Sequence, residues 1–148
     1  MSNYISKSDF IDILSETVNS GRDFSFTPTG HSMKPMLNGT TDTVLLTKKP
    51  EKLNKYDVAL YVRRSDNALV LHRVVTVNDE SYTMSGDNQY YFDFDIRHDD
   101  VLAVVKSFVH NSKTYSVKSL RFIIYSRVIL VKKYIRLFIS KIYHKVLK

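Results

Sequence analysis

Residues 58–77 read VALYVRRSDNALVLHRVVTV, and this stretch decides the fold. Two runs rich in β-branched and apolar residues, Val58–Arg63 and Ala68–Val77, are separated by Asp66-Asn67, a pair typical of hairpin turns. Because side chains alternate between the two faces of a strand, His72 shares a face with valines of the second run. The stretch therefore predicts an antiparallel hairpin that carries a histidine among apolar neighbours.

Further strands are predicted on both sides of this hairpin. Four short runs have the same composition, at residues 24–29, 43–47, 82–85 and 101–109. Six short strands with close turns predict a mainly β fold, a compact, antiparallel, barrel-like sheet. Ahead of them, Ser8 has the residue type of an N-cap for a helix over residues 9–19, and Gly21 follows its end. We therefore expect an N-terminal helix within residues 1–22 and a β-rich domain at residues 23–110.

The remaining segment, residues 111–148, changes to a helical period. Apolar residues recur every three or four positions and fall on one face of a long helix. These residues, called the apolar stripe below, are Ile124, Val128, Val131, Ile135, Phe138, Ile142 and Val146. Lysines and arginines lie off the stripe, so the segment is predicted to be a basic, amphipathic helical tail.

Charge is divided unevenly along the chain. Residues 1–100 carry a net charge of −4, whereas residues 101–148 carry +11 and no acidic residue. A helix that is both basic and apolar suits the headgroup layer of an anionic membrane. Packing on its own domain or on a second copy is the main alternative, and no nucleic-acid partner is expected. If the tail only docks on membranes, a chain ending near Lys118 should keep the chemistry of the β domain.

Composition excludes several classes of chemistry. The 148 residues include no cysteine, so a thiolate nucleophile and disulfides are excluded. The five histidines contain no His-x-x-x-His pair, and we expect neither a metal nor a cofactor. The N-terminus lacks the apolar core of a signal peptide, and no uncharged apolar run of about 18 residues occurs. These features predict a cytoplasmic protein or one at the membrane periphery.

Three short motifs indicate hydrolytic chemistry. They are GHSMKPML at residues 30–37, LHRV at residues 71–74 and SGDN at residues 85–88. Hydrolysis by serine needs a nucleophile, a base and a group that orients the base. Ser32 lies in a turn that Gly30 permits and Pro35 prevents from becoming a helix, which leaves its hydroxyl accessible. His72 is the candidate base, because partial burial on a strand keeps an imidazole neutral near pH 7.

The order and spacing of these motifs resemble the type I signal peptidases, closest to the endoplasmic-reticulum and sporulation subtype in which histidine replaces the general-base lysine. The resemblance covers roughly residues 24–106. It implies the signal peptidase fold, a Ser32 nucleophile and cleavage of a leader or signal peptide bound as an extended strand. Those enzymes usually carry an N-terminal membrane anchor, which the residues of this sequence do not predict.

The resemblance also suggests roles for neighbouring residues. It implies Asp93 as the group that orients His72, with Asp87 and then Asp95 as alternatives. Gly86, Asp87 and Asn88 would shape the loop beside the site. Gly30, Ser32 and Met33 would form the substrate and oxyanion side, with the Ser32 backbone N–H as a donor. Gly30 stands where many signal peptidases have a serine that supplies a second donor, so that donor is unassigned. His31 is a weaker rival base, since adjacent residues in an extended chain point apart.

Two other functions compete with the signal peptidase hypothesis. The Gly-x-Ser-Met sequence is also similar to the LexA/UmuD self-cleaving regulators, but only 31 residues precede Ser32 and they contain no DNA-binding helix-turn-helix. A catalytically silent module that binds peptides at a membrane surface would keep the same fold. The serine endopeptidase is the hypothesis favoured by the combined motifs.

Overall fold

One curled sheet forms the body of the protein. The computed structural model describes residues 5–146, so residues 1–4 and 147–148 of the predicted end segments lie outside the described part. Eight antiparallel strands form a half-barrel, which confirms the predicted mainly β class. The strands are β1 (Phe24–Phe26), β2 (Thr43–Thr47), β3 (Val58–Arg63), β4 (Ala68–Val77), β5 (Ser81–Ser85), β6 (Asp93–Arg97), β7 (Val101–His110) and β8 (Lys113–Ser116). The helices are α1 (Lys7–Asn19) and α2 (Leu120–Val146), with a 3₁₀ turn at His98–Asp100.

The hairpin of β3 and β4 lies near the centre of the sheet. The strand order is β1-β2-β7-β3-β4-β5-β6, and β8 pairs with β7. β3 and β4 pair along the whole of β3, from Val58 opposite Arg73 to Arg63 opposite Ala68. Val58 and Leu60 belong to one apolar cluster, whereas Ala59 and Tyr61 belong to a second. Because successive residues of β3 enter different clusters, both faces of this strand are buried.

Several elements differ from the sequence-based expectation. β1 ends at Phe26 instead of residue 29, since the next residues bend toward the turn that carries Ser32 and Pro28 has no N–H for a ladder. β6 and β8 were not predicted. α1 begins at Lys7 because Ser6, rather than Ser8, is its N-cap and accepts a hydrogen bond from the Asp9 N–H at 3.1 Å.

The C-terminal helix has one packed face and one exposed face. Its buried residues are Phe122, Ser126, Leu130 and Lys133, whereas every residue of the apolar stripe is exposed. β8 pairs with β7, so the predicted boundary at residue 111 divides elements that pack together. Among residues 5–146, no helix is long and apolar enough to cross a membrane.

Candidate active site

Ser32 lies in the turn between β1 and β2, at the mouth of a cleft. The chain enters this turn through Gly30, whose φ of +89° is readily adopted only by glycine. Met33 and Leu37 are buried in the core cluster below, which anchors the turn, while Ser32 stays partly exposed. The cleft has a volume of about 250 Å³ and is lined by Gly30, Ser32, Met33, Leu69, His72 and Gln89 among others. The turn therefore presents the serine to the same space as the histidine of β4.

His72 and Asp93 form a buried pair. His72 Nδ1 lies 2.9 Å from Asp93 Oδ2, and the two side chains are 3% and 7% exposed. Asp93 is the first residue of β6 and lies opposite Met84 of β5, the strand next to β4. The pairing of three successive strands thus carries the carboxylate to the imidazole.

Asp93 and Tyr61 together fix the tautomer of His72. The Tyr61 hydroxyl donates to Asp93 Oδ2 at 2.5 Å, and the hydroxyl oxygen of Tyr61 lies 3.1 Å from His72 Nδ1. Because the hydroxyl donates its only proton to the carboxylate, both neighbours of Nδ1 are acceptors. Nδ1 therefore carries a proton, which leaves the lone pair of Nε2 available for a proton from substrate or nucleophile.

The second oxygen of Asp93 is held by Arg63. Arg63 Nη1 donates to Asp93 Oδ1 at 3.1 Å, while its other nitrogens bind Asp66 at 2.7 and 3.0 Å. Asp93 therefore receives hydrogen bonds at both oxygens, which fix its orientation. Tyr61 and Arg63 were not among the predicted site residues. The signal that could have found them is their alternation on the strand that pairs with His72.

Electrostatics favour a neutral imidazole. Burial lowers the pKa of His72 below its ordinary value of 6.5, although Asp93 acts in the opposite direction. Burial, and then the hydrogen bond to Asp93, raises the pKa of Tyr61 well above its ordinary range, so its hydroxyl remains a donor. At neutral pH the arrangement thus holds an uncharged base beside a negative carboxylate, the state needed to accept a proton.

Ser32 and His72 line the same cleft without a hydrogen bond between their described side chains. Among residues 5–146, no hydrogen bond joins Ser32 Oγ to the imidazole, and the Ser32 N–H donates to no backbone carbonyl. Catalytic hydrogen bonds often tighten only when substrate binds. The free N–H is available to an oxyanion, while the second donor stays unassigned.

The loop after β5, residues 86–92, packs directly on the turn that carries Ser32. The Asn88 N–H donates to the Ser32 carbonyl at 2.8 Å. A Cβ at Gly86 would lie 2.6 Å from the Ser32 carbonyl oxygen and 2.9 Å from Ser32 Cβ, so only glycine fits. This loop sets the position of the serine from behind.

Asp87 lies apart from the imidazole. Its carboxylate accepts two hydrogen bonds from Arg73, both at 2.8 Å, and one from the Tyr125 hydroxyl at 2.9 Å. Arg73 is completely buried and also donates to Ser126 Oγ at 2.7 Å. Asp87 therefore joins the loop to α2, whereas Asp93 contacts the histidine.

The remaining candidates are more distant from this chemistry. His31 is exposed, and its backbone carbonyl, rather than its ring, receives a weak hydrogen bond at 3.4 Å from the Asn88 amide. Asp95 is exposed on β6. Within residues 5–146, no group of three or more histidine, aspartate or glutamate side chains could hold a metal ion.

Comparison of the chain with known protein families, with curated proteins and with solved structures finds no match. Function is therefore inferred from the geometry of this site and from the motifs in the sequence.

Proposed function

We propose that this chain is a serine-type endopeptidase, similar to the type I signal peptidases, that removes a leader or signal peptide from a precursor. The observation that carries the proposal is the buried pair of His72 and Asp93 at 2.9 Å, with the imidazole lining the same cleft as Ser32. A serine, a neutral histidine with a free nitrogen and an orienting carboxylate are the three groups that this chemistry needs.

In the proposed reaction, Ser32 Oγ attacks the scissile carbonyl carbon while its proton passes to His72 Nε2. The imidazolium is stabilised by Asp93, and the oxyanion accepts a hydrogen bond from the Ser32 N–H. His72 then gives its proton to the leaving amine as the peptide C–N bond breaks. Water, deprotonated by His72, hydrolyses the acyl-enzyme and restores Ser32.

The substrate would bind as an extended strand along β4. β5 pairs only with the second half of β4, from Arg73 onward, whereas residues 68–72 line the cleft. On the side away from β3, no described strand covers that first half. A peptide that adds to this edge would pass its backbone beside His72.

A fluorophosphonate probe tests the enzymatic proposal. We expect one adduct, mapped to Ser32 by mass spectrometry and absent from Ser32→Ala. The matched control is Ser65→Ala, at an exposed serine of the β3–β4 turn, which should label normally. A native protein that stays unlabelled would favour the silent peptide-binding module. A fall in intact mass on incubation without substrate would instead indicate LexA-like self-cleavage.

We also propose that α2 docks on an anionic membrane surface. The residues of the apolar stripe are between 45% and 76% exposed, so the core of the protein does not cover them. Residues 101–148 include eleven lysines and arginines and no acid, which matches anionic lipid and disfavours a second copy of the same basic face. The protein would then work at the membrane periphery.

A further inference from the structure

A buried ammonium links the C-terminal helix to the loop behind Ser32. Lys133 is only 4% exposed. Its Nζ donates to Ser85 Oγ at 2.5 Å, to the Gly86 carbonyl at 2.6 Å and to the Gln89 carbonyl at 2.8 Å. These three acceptors, called the cage below, use all three N–H donors of the ammonium.

The cage lies one contact away from the proposed nucleophile. The residues that accept from Lys133 bracket Asn88, whose N–H donates to the Ser32 carbonyl, and they include Gly86, where an added Cβ would lie 2.9 Å from Ser32 Cβ. The same helix reaches the loop a second time through the Tyr125 hydroxyl and Asp87. α2 therefore supports the nucleophile turn through the loop.

No carboxylate in the described chain neutralises this ammonium by direct contact. Asp87, the acid whose charge raises the pKa of Lys133, already accepts two hydrogen bonds from Arg73. Burying a charge costs free energy unless hydrogen bonds compensate it. A neutral apolar residue would fill the position without that cost, but it would leave the Gln89 carbonyl without its donor, and the Gly86 carbonyl would keep the Gln89 N–H at 3.1 Å.

We propose that Lys133 is a positioning residue of the Ser32 site, which holds residues 85–89 in the conformation that places the serine for attack. This inference rests on the proposed endopeptidase function. It adds to that function a requirement for the C-terminal helix, which supplies the lysine.

The titration of Lys133 gives a signature that simple packing would not. Burial lowers the pKa of Lys133 to about 8; Asp87 opposes this effect and Arg73 adds to it. His72 on β4, Tyr90 on the loop and Arg136 on α2 are the other titratable groups around the cage. Above pH 8 the neutral amine keeps two donors for three acceptors, so we expect the loop to loosen and activity to fall.

Stability should change in the opposite direction over the same pH range. Because the pKa of Lys133 is lower in the folded protein than in the unfolded chain, the unfolded chain binds more protons between pH 8 and 10.5. The contribution of this group to stability therefore rises as activity falls. Partial unfolding would make both fall together.

The chain has no cysteine, which allows a chemical rescue. In Lys133→Cys, the thiolate displaces bromide from 2-bromoethylamine and forms a C–S bond, giving a side chain of lysine's length with a terminal ammonium. Alkylation is done on the unfolded chain before refolding. Lys132→Cys, at the exposed neighbouring position, is the matched control and receives the same treatment.

We expect the rate of fluorophosphonate labelling at Ser32 to fall about 10- to 100-fold in Lys133→Cys, the range for a small misplacement of a reacting group. Alkylation should restore most of the rate and move the alkaline limb to lower pH, because sulfur makes the new ammonium more acidic. The Lys132→Cys control should label at the normal rate before and after alkylation. Labelling of Lys133→Cys at the wild-type rate with an unchanged pH profile would overturn the proposal.

Two further measurements separate the possible failures. If Lys133→Cys does not fold, Ser85→Ala removes one acceptor from the cage and should lower the labelling rate without unfolding the protein; a normal rate counts against the proposal. If the wild-type protein is never labelled, the proposed function fails. Hydrogen exchange at Gly86–Gln89 still tests positioning in that case, and unchanged protection in Lys133→Cys would refute it.

Discussion

At the scale of single residues, two acceptors decide which nitrogen of His72 is free. Asp93 and Tyr61 both face Nδ1, and the tyrosine donates its proton to the carboxylate. The carboxylate of Asp93 keeps the proton on Nδ1, and the Tyr61 hydroxyl, which donates to the same carboxylate, presents no competing donor to that nitrogen. A core tyrosine on β3 is therefore part of the candidate site although it does not line the cleft.

The nucleophile and the base are expected to act as one unit. Ser32→Ala and His72→Ala should each remove nearly all cleavage of a matched leader peptide. The double variant should be no worse than either single variant, because the effects of residues that act together are not additive. Peptide cleavage followed by mass spectrometry measures this, and retention of more than about a tenth of activity by Ser32→Ala would end the serine peptidase hypothesis.

The two aspartates near the site should fail in different ways. Asp93→Asn should keep the fold and lower turnover by orders of magnitude, because asparagine neither stabilises the imidazolium nor fixes its tautomer. Asp87→Asn should lower the free energy of unfolding by about 3–5 kcal/mol, since it leaves the buried Arg73 without its counter-charge. Turnover and denaturant unfolding are measured on both variants. The assignment is wrong if Asp87→Asn is the more damaging to turnover while Asp93→Asn resembles wild type.

Removal of the Tyr61 hydroxyl tests the tautomer argument. Tyr61→Phe keeps the ring in the core but deletes one hydrogen bond to Asp93, so we expect about 1–2 kcal/mol less stability. Turnover should fall about tenfold, less than the roughly 10²- to 10⁴-fold contribution of a proton-transfer group, because His72 itself stays in place. The ¹⁵N shifts of His72 should still report a proton on Nδ1, because the Asp93 carboxylate alone accepts from it. A shift toward the Nε2–H tautomer would contradict this assignment of the proton.

At the scale of elements, strands with regular periodicity could be predicted, whereas strands that depend on pairing with their neighbours could not. β3 and β4 have the predicted bounds, since β-branched residues alternate along them. β6 (DFDIR) and β8 (KTYS) were missed because charged and small residues hide their extended conformation, which pairing with β5 and β7 stabilises. The omission of β6 hid the strand that begins with Asp93.

The C-terminal helix shows the same division between local pattern and tertiary contact. Its apolar stripe was visible in the sequence because it repeats with the helical period. Its packed face was not visible, because Ser126 and Lys133 are polar and are buried only through hydrogen bonds to Arg73 and to the loop. An apolar pattern therefore identified the face that meets solvent, and polar residues mark part of the face that meets the domain.

This arrangement changes where the helix can be cut. A chain ending near Lys118 would lose Phe122, Leu130 and Lys133 from the domain, so we expect it to aggregate or unfold rather than keep its Ser32 chemistry. A chain ending after Leu137 keeps all the buried residues of α2 and loses its exposed last third. It should fold and retain fluorophosphonate labelling at Ser32. The reverse result for the two chains would show that the helix is dispensable to the site.

Vesicle sedimentation tests the membrane role of the same helix. The full chain should bind anionic vesicles more tightly than neutral ones and lose much of that binding at high salt, because exposed charges are screened over about 8–10 Å. Ile135→Ser with Phe138→Ser should weaken binding to anionic vesicles, since both side chains are more than half exposed. Ser140→Ala, on the exposed part of the helix, is the control. Equal binding to neutral and anionic vesicles would remove the electrostatic part of the proposal.

At the scale of the whole molecule, one helix connects two proposed activities. The apolar stripe and the packed residues occupy different faces of α2, so a stripe lying on a membrane would place the helix between the lipid and the loop behind Ser32. The basic C-terminal helix then meets the anionic surface, and the rest of the protein, with all of the acids, lies beyond it. Membrane contact and support of the nucleophile would therefore depend on the same element.

The pH dependence of the intact protein combines His72 and Lys133. Burial lowers the pKa of His72 below 6.5 and that of Lys133 to about 8. Turnover should rise with pH as His72 loses its proton, below pH 6.5, and should fall above pH 8 as Lys133 loses its own. Both groups bind fewer protons in the folded protein than in the unfolded chain over these pH ranges. The contribution of each group to stability therefore increases with pH within its own range.

We therefore expect a bell-shaped turnover profile whose alkaline limb is not accompanied by unfolding. Lys133→Met should remove that limb and the stability increase between pH 8 and 10.5, while leaving the acid limb in place. Turnover and denaturant unfolding at matched pH values measure the two curves, and parallel loss of activity and stability above pH 8 in the wild-type protein would refute this explanation.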